Sequence, residues 1–264
     1  MRPFVHSNGP AKAMRRLAGF TLIELLVVLV IMGMLAVFTL PAMKNMRQGN
    51  ALVSAGRQLV DDLARARNRA ISDQTDVYVV FIPPAILFDT FTLSPQENKL
   101  AERLRAGAFT SYAMVADRSV GDQPGRGVAR YISEWQSLPD GVIIATNKLL
   151  NPTTFPDRAI AGLPYRTFKF PTGTNDANIA KRDMPFIGFD KRGRLLDPNG
   201  AGSGLGGEII PLLRGSILYA RDAAGNLLTD SFDVRQSSTN FTERHHVVVD
   251  GLTGRGRVET QALY

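Results

Sequence analysis

Gly19-Phe20-Thr21-Leu22-Ile23-Glu24-Leu25-Leu26-Val27-Val28-Leu29 opens the only membrane-length apolar run of the chain. The run extends from Phe20 to Leu40, 21 residues. That is enough for one helix to cross a bilayer core, which takes about 20. Glu24 is its only charge. A carboxylate at membrane depth costs roughly 2.5–3.5 kcal/mol on insertion scales, less near the interface. A plain anchor has no use for that cost, so the segment reads as an anchor that also makes a specific contact. Upstream, Arg2, Lys12, Arg15 and Arg16 are the only charged residues among the first nineteen. Such a bias holds an N-terminus in the cytoplasm. A secretory signal has a shorter apolar core with small residues after it. Here Ala18 and Gly19 come before the core, so a cut there removes the basic leader and leaves the helix in place. Met1 and Met14 both remain open as the start, because Met14–Gly19 is itself a complete short leader.

Downstream, the pattern changes from uniformly apolar to amphipathic. Leu52, Gly56, Leu59, Leu63, Ala66 and Ala70 recur at alternating steps of four and three. That is one apolar stripe at helical period. Arg57, Asp61, Arg65 and Arg69 occupy the other face, with Asp61 and Arg65 spaced for an i,i+4 pair. Pro41 removes a backbone donor within this long helix and predicts a kink or local loosening. After Asp73 the period becomes that of strands. Val77–Ile82 is β-branched and aromatic, and Pro83-Pro84 stops it. Ile86–Phe88 with Thr90–Leu93, Ser111–Ala116, Arg130–Trp135, Gly141–Thr146, Thr167–Phe170, Phe186–Asp190, Ser216–Ala220, His246–Asp250 and Arg257–Thr260 are further strand candidates. Glu97–Gly107 reads as a short helix or an exposed charged loop. One long helix followed by many short strands predicts an α+β fold. Three stretches read as turn-rich loops: Gly121–Gly127, Asn151–Pro164 and the glycine-rich Asp197–Gly207.

Composition narrows the chemistry. The chain has 264 residues and no cysteine, which removes disulfides, cysteine nucleophiles and thiolate metal sites. The net charge is +7, of which the leader supplies four. The rest of the chain has 27 basic and 24 acidic residues, so the sequence pI of 9.9 overstates its basic character. His245 and His246 are adjacent, so in a strand they point to opposite faces and suit a shared metal poorly. Gly202–Gly207 lacks the Gly-Lys-Ser/Thr ending of a phosphate loop. No nucleophile-elbow sequence is present. We therefore expect no catalytic residue, metal or cofactor. Arg244, Arg255 and Arg257 form a candidate nucleic-acid contact if the last two strands make a hairpin; the alternative is a solvated polar face.

The N-terminal run, with Pro41 at its end, resembles type IV pilins and type II secretion pseudopilins. Two further segments resemble the GspH/FimT group of minor pilins: Leu63–Ile71 before a valine-rich strand, and Val247–Val258. Asp190-Lys191-Arg192-Gly193-Arg194 resembles an earlier turn of that group. The chain is longer than the pattern, with insertions between Leu93 and Tyr131 and between Asn151 and Pro164.

The resemblance implies a pilin-like division of the chain. Residues 1–19 would be a removed leader, 20–40 a transmembrane and filament-core helix, 41–75 its amphipathic continuation and 76–264 a β-rich head. It implies cleavage between Gly19 and Phe20 by prepilin peptidase, methylation of Phe20, and pairing of Glu24 with the Phe20 amine of a neighbouring subunit. Pro41 belongs to the same assembly helix. The implied partners are other pilin or pseudopilin subunits, the inner-membrane assembly platform and membrane lipid. The implied location is the inner membrane with a periplasmic head, then a pseudopilus or pilus. Two alternatives stand beside a minor pseudopilin: a DNA-binding minor pilin, and a membrane-anchored surface protein that uses the pilin processing route.

Overall fold

The computed structural model describes residues 21–83, 95–118, 129–149, 162–171, 181–196, 206–221, 223, 227–236 and 244–261. The chain divides into two compact units, Met1–Met46 and Arg47–Tyr264. Helix α1 (Leu22–Asp73) contributes to both and includes Pro41. In the first unit, α1 presents Leu22 to Leu35 as exposed apolar surface on all sides, from 43% exposed at Val28 to 86% at Leu22. Among the described residues no helix is long and apolar enough to cross a membrane. Phe20, the first residue of the expected span, lies outside those residues, as do the side chains of 36–40.

The second unit is built around the amphipathic stretch of α1. Leu52, Leu59, Leu63, Ala66 and Ala70 are 0–1% exposed, while Arg57, Asp61, Arg65 and Arg69 face solvent. Arg65 pairs with Asp62 at 2.9 Å (i,i+3) rather than with Asp61. The reason is local: Asp62 is buried on the core side and accepts a hydrogen bond from the Tyr112 hydroxyl (2.6 Å), so its carboxylate is fixed one position from the expected partner.

Two antiparallel sheets supply the rest of the core. The strands of the first are β1 (Val77–Phe81), β2 (Ser111–Ala116), β3 (Arg130–Tyr131), β4 (Gln136–Ser137), β6 (Tyr165–Lys169) and β7 (Lys181–Phe189). Their order is β3-β2-β1-β7-β6, with β4 also on β2. β1 is central and wholly buried, which is why its sequence is apolar at every position instead of alternating. The second sheet runs β11 (Gly256–Gln261), β10 (Arg244–Val249), β8 (Glu208–Arg221), β5 (Val142–Ile144), with β9 (Leu227–Gln236) also on β8. The Glu97–Gly107 segment forms helix α2 (Pro95–Ala106), with Ala101 and Leu104 buried. A long helix with two β-rich sheets is an α+β fold, as expected.

Several boundaries differ from the sequence expectation. Only Arg130–Tyr131 of the 130–135 candidate is strand, and Trp135 instead donates its indole N–H to the Pro171 carbonyl. The 141–146 candidate ends at Ile144 and turns into helix α3 (Thr146–Leu149). There Lys148, fully buried, meets Glu208 at 2.5 Å. β8 is far longer than Ser216–Ala220. It accommodates Pro211 because that residue faces Ala145, at the rung where β5 has ended: Ala145 N–H donates to the Pro211 carbonyl (3.0 Å), and the missing return bond interrupts nothing. The candidate at 86–93 lies outside the described residues.

Candidate functional site

The start of α1 carries the first site. Thr21 precedes the helix, and its Oγ1 accepts the Glu24 backbone N–H at 3.3 Å. The Thr21 hydroxyl also lies 3.5 Å from Glu24 Oε2. The Thr21 carbonyl accepts the N–H of Leu25 at 3.2 Å. Thr-x-x-Glu at a helix start is the capping-box arrangement, in which the cap hydroxyl satisfies an otherwise unpaired N–H of the first turn. Glu24 is thus held by local bonds at the helix entrance. Gly19, Phe20 and the residues before them lie outside the described residues, and of Pro41 only its helical backbone is described.

A second constellation joins three sequence segments far apart in the chain. Asp190 closes the turn Asp190–Arg194. Its Oδ1 accepts the N–H groups of Arg192 (2.9 Å) and Arg194 (2.8 Å), and its Oδ2 accepts both Nε (3.0 Å) and Nη2 (2.9 Å) of Arg194. Burial pushes the Asp190 carboxyl up, but the hydrogen bonds from Arg194 and Arg192 outweigh it and hold it below the ordinary 3.8. Asp250 does the same work in the turn before β11, accepting the N–H (2.7 Å) and hydroxyl (2.8 Å) of Thr253.

The two turns abut. Leu195 N–H donates to the Gly251 carbonyl at 3.0 Å. Arg67 of α1 then fastens both, its Nε reaching the carbonyls of Gly193 (3.1 Å) and Thr253 (2.6 Å). A Cβ on Gly254 would lie 2.0 Å from the Gly193 carbonyl oxygen. Both Gly193 and Gly254 also have positive φ, 78° and 64°. Only glycine meets both demands. The Arg67-containing helix segment, the Asp190 turn and the closing hairpin were legible as separate motifs. Their meeting was not, because nothing in the local sequence of one points to the others.

The same junction bears on the arginine cluster. β10 and β11 do pair as a hairpin, Val249 opposite Gly256. Arg257 is exposed and its Nε binds Glu259 Oε1 at 2.6 Å. Arg255 is exposed and precedes β11. The Arg244 backbone pairs with Gln261, and its side chain lies outside the described residues. Sequence reasoning did not place Lys191 and Arg192, both exposed, in a turn that abuts the closing hairpin, where Arg255 lies. His246 is buried in β10 and His245 half-buried. Among the described residues no three His, Asp or Glu side chains group as a metal site. Most of the glycine-rich loop lies outside the described residues.

Residues 14–40 match the prokaryotic N-terminal methylation motif. A segment of this kind marks the type IV pilin class, whose members are processed as prepilins. It implies cleavage by prepilin peptidase and assembly with other pilin subunits. The match includes Gly19-Phe20, Thr21, Glu24 and the apolar run, and nothing beyond Leu40. No curated protein and no solved structure matched the chain.

Proposed function

We propose that this chain is a non-enzymatic filament subunit: a minor pseudopilin or pilin, cut after Gly19, methylated on Phe20 and assembled through α1. In this reading the basic leader and apolar run hold it in the inner membrane, N-terminus inside, with the β-rich unit in the periplasm. The observation that carries the reading is the capped Glu24 at the head of an apolar helix surface exposed on all sides. An exposed surface of that size needs partners, lipid first and neighbouring helices later. A carboxylate among them is tolerated once an opposite charge is close. Cleavage creates such a charge on Phe20, which would pair with Glu24 of the adjoining subunit. The three segments that resemble the GspH/FimT group, in α1, the Asp190 turn and the closing hairpin, meet at one junction.

A DNA-capturing subunit fits less well, because Arg257 is already engaged by Glu259. A surface protein that borrows the processing route shares the N-terminal motif and differs in genetic surroundings: neighbouring genes for a secretion ATPase, a platform protein and other pseudopilins favour the filament.

Co-expression with a prepilin peptidase, followed by intact-mass and N-terminal sequencing, tests the proposal. The mature chain should begin at N-methylated Phe20, and Gly19→Leu should stay uncut. Normal processing of Gly19→Leu, or a start elsewhere, refutes it.

A further inference from the structure

We propose that the two abutting turns, Asp190–Arg194 and Asp250–Gly254, form a docking surface for anionic lipid headgroups, with Leu252 as its apolar anchor. The inference rests on the membrane-held reading of the chain given above, and adds a second contact made by the head itself.

Charge is the first argument. The junction carries six cations, Arg67, Lys191, Arg192, Arg194, Arg255 and Arg257, and four carboxylates, Asp190, Asp250, Glu259 and Asp76, the last acted on by both Asp190 and Lys191. The first three are engaged locally: Asp190 by Arg194, Glu259 by Arg257, and Asp250 by the N–H and hydroxyl of Thr253. Lys191, Arg192 and Arg255 are exposed and form no ion pair among the described residues.

Leu252 is the second argument. It is 56% exposed at the tip of its turn. The other exposed large apolar side chains described in this unit are Val53 and Leu218, neither of which is in these turns. A phosphate backbone offers a leucine nothing. A bilayer surface accepts both features, phosphates for the cations and the headgroup–acyl boundary for the apolar tip. That combination favours lipid over nucleic acid.

The third argument is rigidity. Arg67, the Gly193–Gly254 contact and the two capping aspartates fix both turns before any ligand arrives. Docking therefore loses little to ordering of the loops.

The test uses the unit Arg47–Tyr264, which contains the whole described core and is compact by itself. It is sedimented with vesicles of equal parts phosphatidylglycerol and phosphatidylethanolamine, and with phosphatidylcholine alone. Binding to the anionic vesicles at low salt, lost at high salt, is expected. Reversal of Lys191, Arg192 and Arg255 to Glu should weaken it by at least about fivefold per position. Leu252→Asp should weaken it about tenfold. All four side chains are exposed, and matched thermal melts of the variants establish that folding is intact.

Equal binding to phosphatidylcholine, no binding at low salt, or wild-type binding by the triple variant overturns the proposal. So does a short DNA duplex that displaces the vesicles through the same cations with no contribution from Leu252; the surface would then belong to nucleic acid. The unit lacks the N-terminal segment, so a negative result leaves cleavage at Gly19 untouched. An uncut leader likewise leaves the sedimentation result standing.

Discussion

Helix α1 runs through two physical regimes. Between Leu22 and Leu35 its leucines, valines and isoleucines are exposed on every side; between Leu52 and Ala70 one stripe is sealed and the other face is charged. The contrast separates two kinds of apolar residue. Those of the second stretch find their partners inside the chain. Those of the first are exposed, and their sequence has no polar face that would let them stand in water. A helix apolar all round calls for lipid or other helices.

Paired substitutions sharpen that contrast most. Leu63→Ala should cost about 2–5 kcal/mol of unfolding free energy, because it opens a cavity beneath a fully buried side chain. The same change at Leu29 should leave the stability of the second unit within about 0.5 kcal/mol, as for other exposed positions. Chemical denaturation of both variants checks this, and a large loss at Leu29 would break the distinction.

A smaller effect is expected where α1 is tied to the two turns. Asp190→Asn keeps the shape but weakens the bonds from Arg192 and Arg194, and should cost about 1.5–3 kcal/mol at neutral pH. The Asp190 carboxyl is held below 3.8, so its contribution is fully present above that value and is lost as pH falls through the lower native one. Acid titrations of wild type and Asp190→Asn should therefore converge below pH 3.8 and separate above it.

The smallest effect has the opposite sign. Burial, then Asp117 and Asp190, push the Asp76 carboxyl above 3.8. Stability then falls as pH rises from 3.8 through the native value, and stays lowered at neutral pH. Asp76→Asn should raise the melting temperature slightly at pH 7 and leave it unchanged in acid, as thermal scans at the two pH values would show.

The two regimes of α1 were legible because period is a local signal: six stripe residues at steps of four and three declare their face. β1 and β2 were legible for a similar reason, each being a short apolar run bounded by turns. β9 was missed. Phe232 and Val234 do alternate with Asp233 and Arg235, but two aspartates in ten residues depress strand propensity, and the strand forms through its pairing with β8. β8 was expected only at Ser216–Ala220, whereas it runs Glu208–Arg221 through Pro211 and Gly215, and only the pairing shows why Pro211 is tolerated. At the N-terminus the carboxylate was legible as an oddity, while its bond to Thr21 needed coordinates. At the turn junction, Arg255 could be read from the hairpin; Lys191 and Arg192 could not, since the abutment of their turn on the hairpin is a product of tertiary contact between segments distant in the sequence.

The Thr21–Glu24 bond has one more consequence. The aligned peptide dipoles of a helix leave partial positive charge at its first turn. Cutting the bond before Phe20 would replace a neutral amide with an ammonium at that same end, where it is repelled. Glu24 is the sole acid in the first turn and is already pointed there. Maturation would thus switch the helix entrance from a closed, self-sufficient cap to one with a charge in search of a counter-ion, and the timing of that switch would belong to the peptidase.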